Sequence, residues 1–416
     1  MPTIVTSVPR AAFAWVTRRL KGEVEIPLIT TNRINMPAVA ERILAEGDAD
    51  MVSMARPLLA DPEWVAKARD AREESINTCI ACNQACLDHV FENRRATCLV
   101  NPRACHETEL VIAPAASKKR IAVIGAGPAG LACAATLGER GHTVTLIERS
   151  AEIGGQFNMA KRIPGKEEFH ETLRYFSSRL RDAGVELRLG TQASAAMLRE
   201  GGFDEIVVAC GVTPRRVQIP GIERPNVMSY SELLLGGRDA GARVAIIGAG
   251  GIGFDVAEFL AQLPPSPSTD VARWTHEWGV DMTLAARGGL VRAAVEPPAR
   301  EIWLLQRSEG KPGARLNKTT GWVHRATLKA KGVTMLGGVT YERIDDAGFH
   351  IRVDGAEKIL PVDTIVVCAG QEPDRTLHGE LAQSGIPLHL IGGADVAAEL
   401  DAKRAIDQGT RLAARL

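Results

Sequence analysis

Ile121-Ala122-Val123-Ile124-Gly125-Ala126-Gly127-Pro128-Ala129-Gly130 is a short apolar run that drives into a glycine-rich turn, and an alanine-rich stretch follows it. The pattern predicts a strand, a tight G-x-G-x-x-G turn and a helix, the opening of a dinucleotide-binding βαβ unit. Gly125 permits the tight turn, Gly127 lets a pyrophosphate approach the backbone, and Gly130 lets helix and strand pack closely. The phosphates then meet the helix N-terminus, where unpaired N–H groups and the dipole favour anions. Glu148 ends the next predicted strand, Thr143-Val144-Thr145-Leu146-Ile147, eighteen residues past Gly130. A carboxylate there is placed to hold a ribose hydroxyl, which separates this stretch from a chance glycine match.

A second copy follows at Val244-Ala245-Ile246-Ile247-Gly248-Ala249-Gly250-Gly251-Ile252-Gly253, so the chain is expected to bind two dinucleotides. Its second strand, Ile302-Trp303-Leu304-Leu305, comes late because residues 263–300 read as an insertion rich in Pro, Gly and Trp. That strand runs into Gln306-Arg307-Ser308 rather than an acid. A carboxylate would repel a 2′-phosphate and Arg307 attracts one, which favours NADPH over NADH, although Glu309 close by acts against it. Two further strands end in similar turns, Ile206 to Pro214 and Ile365 to Pro373. Leu388-His389-Leu390-Ile391-Gly392-Gly393-Ala394-Asp395 precedes a helix expected from about Glu399. Asp395, at a strand end beside a helix N-terminus, is suited to accept hydrogen bonds from a flavin ribityl chain. The predicted arrangement is a nicotinamide domain inserted inside a flavin domain.

Upstream lies Cys79-Ile80-Ala81-Cys82-Asn83-Gln84-Ala85-Cys86, closed by Cys98 after eleven residues, in the order C-x2-C-x3-C-x11-C. Four thiolates this close in sequence can converge on one centre, either an iron–sulfur cluster or zinc. Zinc has no redox role, whereas a cluster between two domains suggests electron traffic. Cys133 and Cys210 lie in apolar runs and read as small core residues.

Before the cysteines, residues 10–21 carry helical spacing, and Ile26-Pro27-Leu28-Ile29-Thr30-Thr31 reads as a buried strand. Asn32-Arg33-Ile34-Asn35 is its exit loop, and a helix over 37–46 starts at Pro37 and stops at Gly47. Asp50-Met51-Val52-Ser53-Met54 reads as a second strand with Ala55-Arg56-Pro57 at its end, then a helix from about Asp61. Alternating βα units make parallel sheet. An arginine past each strand end, Arg33 and Arg56, suits a phosphate site at the top of a (β/α)8 barrel; two surface arginines are the plain alternative. Such a barrel takes about 200 residues, and only two of its strands are visible here.

Charge and length bound the rest. The 416 residues carry 50 basic and 50 acidic side chains, which gives no reason to expect nucleic acid or an anionic membrane as partner. No apolar run reaches the ~18 residues of a membrane span, and the first ten residues lack the regions of a secretory signal. Eight cysteines, four of them clustered, fit cofactor chemistry in a reducing cytoplasm.

Taken together, the cysteine spacing, Thr31-Asn32-Arg33-Ile34-Asn35, Ser53-Met54-Ala55-Arg56-Pro57, Ile153-Gly154-Gly155-Gln156-Phe157-Asn158 and Cys368-Ala369-Gly370-Gln371-Glu372-Pro373 carry a resemblance. The chain resembles the carboxyl-terminal part of the bacterial NADPH-dependent 2,4-dienoyl-CoA reductase family. That family fuses an old-yellow-enzyme-like FMN barrel, a 4Fe-4S cluster and an FAD/NADPH module. The resemblance implies that Cys79, Cys82, Cys86 and Cys98 hold the cluster, that Arg33, Ala55 and Arg56 contact FMN, and that Ala129, Glu148, Gln156, Lys166 and Ala193 contact FAD. The expected fold is α/β. It comprises the last part of the barrel (1–72), the cluster segment and linker (73–116), a discontinuous FAD domain (117–238 and 346–416) and an inserted Rossmann-like NADPH domain (239–345), glutathione-reductase-like in plan. The family's catalytic Tyr/His pair has no match in this sequence, so the chain alone is expected not to reduce a dienoyl-CoA. It reads as an electron-input portion, passing electrons from NADPH to FAD to the cluster to FMN, with the barrel on a separate chain or an external acceptor as partner. A stand-alone NADPH diaphorase, a decayed remnant with exposed strand edges and an amine dehydrogenase of the same plan are the rival readings.

Overall fold

The computed structural model describes residues 4–398 and 401–416, which divide into two compact units. The first unit is residues 13–161, 168–213 and 371–416; the second is residues 4–12, 162–167 and 214–370.

In the first unit the barrel-like segment has two short strands, β1 (Ile29–Thr30) and β2 (Met51–Val52), paired in parallel. A five-stranded sheet follows, built from β3 (Arg120–Ile124), β4 (Thr143–Ile147), β5 (Glu186–Arg188), β6 (Glu205–Val208) and a returning strand at Leu388–Leu390. Its order is Leu388–Leu390, β6, β3, β4, β5, all parallel. Strands such as β3 are unbroken apolar runs because both faces are covered. Helix α1 (Pro128–Glu139) covers one face and is buried nearly all round, which its alanines allow. The last helix, Ala402–Ala413, approaches so closely that a Cβ on Gly409 would stand 2.3 Å from the Ala129 carbonyl oxygen.

The second unit repeats the plan. Strands β7 (Val227–Ser229), β8 (Arg243–Ile247), β9 (Glu301–Leu305), β10 (Thr334–Leu336) and β11 (Thr364–Val367) form a parallel sheet in the order β10-β9-β8-β11-β7. Helix α2 (Gly251–Ala261) follows β8, and three antiparallel strands, Thr340–Asp345, Gly348–Val353 and Ala356–Leu360, share the core. The insertion at 263–300 contains a helix, Val271–Trp278, anchored by a buried ion pair of Glu277 with Lys331 at 2.7 Å.

Several expectations shift. The sheet of the second unit reaches beyond the 239–345 expected for the NADPH domain, because β7 and β11 complete the β8 sheet, with Thr364 in register with Val244. Residues 4–12 pack with this second unit. The Ile26–Thr31 stretch is not a buried strand: Ile26 and Ile29 are exposed, and among the described residues only β2 pairs with β1. The first helix spans Ala14–Leu20, within the predicted 10–21. The expected start at Glu399 lies outside the described residues; the helix itself begins at Ala402, capped by Asp401.

The glycine turns are matched in detail. A Cβ on Gly130 would lie 1.8 Å from the Gly125 carbonyl oxygen, and one on Gly127 would meet nothing within 4 Å. We therefore expect G130A to lose at least ~1–3 kcal/mol of stability by overpacking, while G127A leaves the urea-unfolding midpoint almost unchanged. Equal stability of the two variants would contradict this packing.

Candidate functional site

In the first unit, Glu148 is buried at the end of β4 and both its oxygens are engaged by backbone. Ala126 N–H donates to Oε2 at 2.7 Å and Ser150 N–H to Oε1 at 2.8 Å. Each carboxylate oxygen has a second lone pair, so the residue is oriented and still able to accept from ribose hydroxyls. Gly127, capping α1, leaves the ligand side of the turn open, and Gly155 packs against its Cα. Gln156 therefore opens the short helix Phe157–Ala160 beside this turn. Ala193 is buried two residues beyond Thr191, whose N–H donates to the Glu148 carbonyl oxygen at 2.9 Å. Asp395 is held by Gln408, whose Nε2 donates to Oδ2 at 2.7 Å while its Oε1 accepts from Gly392 N–H at 2.8 Å. Sequence reasoning missed Gln408; its only signal was a polar side chain on the buried side of an amphipathic helix. Gly125, Gly127, Ala129, Gly130, Glu148, Gln156, Ala193 and Asp395 all belong to this unit, and their cradle fits FAD. Lys166 lies in the other unit.

The four cysteines line one small pocket, together with Arg56, Leu59, Asn83 and Leu99. Among the described residues, no three His, Cys, Asp or Glu side chains gather so as to hold a metal ion as they stand. Burial pushes all four thiols upward, Cys98 to about 12 and Cys82 well above its ordinary value, and neighbouring sulfurs add to the rise at Cys82, Cys86 and Cys98. Backbone N–H groups of Ala81, Gln84, Leu87 and Val100 act in the opposite direction on Cys79, Cys82, Cys86 and Cys98 respectively. A thiolate set in this setting needs a cationic core to ionise against, and amide donors at sulfur are what tune an iron–sulfur centre. The donor set therefore fits a cluster. Ile80, Leu99 and Val100 share one apolar core with Ala60 of the barrel segment and with Ala129, Ala132 and Cys133 of α1.

Of the two barrel arginines, Arg56 lines the cysteine pocket and Arg33 pairs with Glu168. Arg33, in a left-handed turn with Asn32, is buried with its Nη2 3.0 Å from Glu168 Oε1, so it is no surface arginine. Arg56 Nη1 donates to Asn83 Oδ1, between Cys82 and the rest of the loop. Ala55 precedes it and is exposed. Asn35, part of the exit loop but given no role by the sequence, donates through Nδ2 to the Cys79 carbonyl oxygen at 3.0 Å, and Trp64 Nε1 donates to the Asn35 carbonyl oxygen at 3.1 Å.

In the second unit Gly248, Gly250 and Gly253 reproduce the first turn: Cβ atoms on Gly248 and Gly253 would meet Cys368 O at 2.5 Å and Gly248 O at 1.8 Å, with nothing near Gly250. Arg307 is exposed just past β9. Lys166 Nζ pairs with Asp255 Oδ1 of α2 at 2.6 Å, and His324 Nδ1 lies 2.7 Å from the buried Glu258 one turn further on.

Residues 119–404 match the profile of the pyridine nucleotide-disulphide oxidoreductase family, and residues 1–75 that of the NADH:flavin oxidoreductase / NADH oxidase family. A metal reductase of Desulforamulus reducens is 36% identical over 95% of this chain and 58% of its own length. An NADH oxidase of Thermoanaerobacter brockii is 31% identical over 91% of this chain and 54% of its own. Among solved structures, a 2-naphthoyl-CoA reductase matches 100% of this chain and 58% of its own, with a TM-score of 0.87 and 28% identity. The chain thus spans about half the length of the curated relatives it matches. Among the described residues, no helix is long and apolar enough to cross a membrane.

Glu258 raises the His324 value, more than burial lowers it. A value raised by folding stabilises fully below the unfolded value, about 6.5, and that stability is lost as pH rises through the folded value. NMR titration is expected to find His324 protonating above pH ~6.5 in the native chain and lower in E258Q; the same value in both would contradict the pairing.

Proposed function

We propose that this chain, which belongs to the pyridine nucleotide-disulphide oxidoreductase family, is the electron-input portion of an NADPH-dependent 2,4-dienoyl-CoA reductase. The coarser activity, an NAD(P)H-dependent flavin oxidoreductase of the old-yellow-enzyme-like family, rests on the two profile matches together. The observation that carries the finer reading is the shared core: the helix opened by the first glycine turn, the cysteine loop and the barrel segment pack as one body. When bound, FAD supplies the exchange between a two-electron hydride donor and single electrons, and an iron–sulfur cluster supplies a one-electron carrier.

The chain's own residues divide the work. Gly125, Gly127, Gly130 and α1 receive the FAD pyrophosphate, Glu148 orients the ribose, and Asp395, fixed by Gln408, accepts from the ribityl chain. Gly248, Gly250 and Gly253 receive NADPH, with Arg307 for the 2′-phosphate. Cys79, Cys82, Cys86 and Cys98 hold a 4Fe-4S cluster in a setting that excludes water from most of their surface. Arg33, Ala55 and Arg56 form the edge of an FMN site that further barrel strands would complete, in the same polypeptide or in a partner. One observation favours a second reading, a stand-alone NADPH:acceptor diaphorase: Arg33 and Arg56 are engaged with Glu168 and Asn83 inside the unit.

Anaerobic NADPH titration of the chain loaded with FAD, iron and sulfide is expected to bleach the flavin bands and then the broader cluster absorption. Reoxidation should then require an FMN-loaded barrel domain of this family together with a 2,4-dienoyl-CoA. Reoxidation by a dye, with no response to barrel and dienoyl-CoA, selects the diaphorase; a flavin that NADPH leaves oxidised contradicts both.

A further inference from the structure

The stretch that delivers Cys79 to its pocket is fastened by one side chain. Residues 73–78 run from the surface inward: Glu73 and Glu74 are exposed, while Ile76 and Thr78 are wholly buried. Arg174, on the helix Phe169–Asp182, gathers this strap. Its Nη1 donates to Glu73 O at 2.9 Å and to Glu74 O, and its Nη2 to Ile76 O and Thr78 Oγ1, each at 2.9 Å. Its Nε donates to Glu171 Oε2 at 2.6 Å, one turn back on the same helix. All the donors of the planar fork are thereby engaged, and every one except Nε–H is aimed at the strap. Thr78 Oγ1 passes the restraint on by donating to Met36 Sδ at 3.0 Å, and Asn35 holds the Cys79 carbonyl oxygen from the far side.

We propose that Arg174 is a positioning residue for Cys79: by fastening the strap 73–78 to the helix Phe169–Asp182, it keeps the first of the four sulfurs at the metal centre. The inference rests on the reading that the four cysteines hold an iron–sulfur cluster. A ligand that enters from a chain segment can leave only when that segment opens, and local opening is governed by the hydrogen bonds that must be broken. Opening here would strip the partner from the buried Ile76 carbonyl and from Thr78 Oγ1, and bonds to a charged donor are the stronger ones. Release of Cys79 breaks one iron–sulfur bond heterolytically. The sulfur departs with the electron pair as thiolate, so neither oxidant nor reductant is needed. Arg179 of the same helix is arranged differently, with Nε and Nη2 on Glu139 of α1 at 2.6 and 2.7 Å. That arginine joins helix to helix and does not touch the strap in any bond of its fork to Glu139.

The test is anaerobic alkylation with iodoacetamide of the chain loaded with FAD, iron and sulfide, followed by mass-spectrometric mapping of each cysteine at early times. Cys105, exposed and outside the set, gives the rate of an open thiol in the same sample. In R174M, Cys79 is expected to react on the order of tenfold faster than in the unsubstituted chain, ahead of Cys82, Cys86 and Cys98. R174K keeps the charge but not the fork, so its Cys79 should react at an intermediate rate. R179Q, which releases Glu139 from the same helix, should lower the unfolding midpoint and leave Cys79 protected. A general loosening would expose the four cysteines together and would not separate the two arginines. An unchanged Cys79 rate in R174M, an equal rise at all four sulfurs, or the same exposure of Cys79 in R179Q would each overturn the proposal; should R174M fail to fold, R174K against R179Q still decides it. Four cysteines that react like Cys105 in the unsubstituted chain would instead contradict the cluster reading itself.

Discussion

At Gly130 and again at Gly253 a hydrogen stands where any other residue would put a carbon 1.8 Å from a carbonyl oxygen. That contact closes the strand-to-helix turn in each unit, and the rest of the layout depends on it. The same turns press Gly125 and Gly248 against the carbonyls of Ala209 and Cys368, so that a Cβ on either glycine would stand 2.5 Å from the oxygen, and the next strand over is fixed too. Ala209 N–H and Cys368 N–H in turn donate to Ile124 O and Ile247 O, both at 2.8 Å. Backbone contact in two directions leaves little freedom for the helix N-terminus. A rigid array of N–H groups aimed at one spot is what a pyrophosphate needs.

The cysteine cavity solves a different problem. Four thiols in an apolar pocket resist ionisation, and the structure answers with backbone amides at the sulfurs and with cations brought from the barrel segment. The Arg33–Glu168 pair is costly to bury and worse to break, since removing one partner of such a pair typically costs ~3–5 kcal/mol. It also joins the barrel segment to the start of the helix Phe169–Asp182. Arg174 of that helix adds a second tie, donating to Ile76 O and Thr78 Oγ1, each at 2.9 Å. Barrel segment, cysteine loop and the first five-stranded sheet are thus one mechanical unit.

Local pattern makes both glycine turns, Glu148, the four cysteines and the helix at Pro37 legible in the sequence, because each is written within a few residues. What escapes is long-range. The boundary at 214 and 370 is set by β7 and β11 joining a sheet whose other strands lie elsewhere in the chain. An apolar run such as Ile26–Thr31 announces burial only if neighbours exist to cover it, and Ile29 is exposed. Gln408 and Glu168 carry no motif, and Asn35 and Asn83 sit inside motifs that assign them no role; each matters through a partner 13 to 135 positions away. Lys166 is tied to the flavin only by resemblance, and the side chain it pairs with is Asp255.

The central claim is that four thiols around one cavity hold a redox-active cluster in the same body as the flavin site. Metal and acid-labile sulfide analysis of anaerobically purified protein, joined to Mössbauer spectroscopy, tests it most directly. The account predicts about four iron and four sulfide per chain, lost together in a Cys82→Ala variant that still retains FAD. One zinc per chain without sulfide, or full FAD with no metal at all, would contradict it.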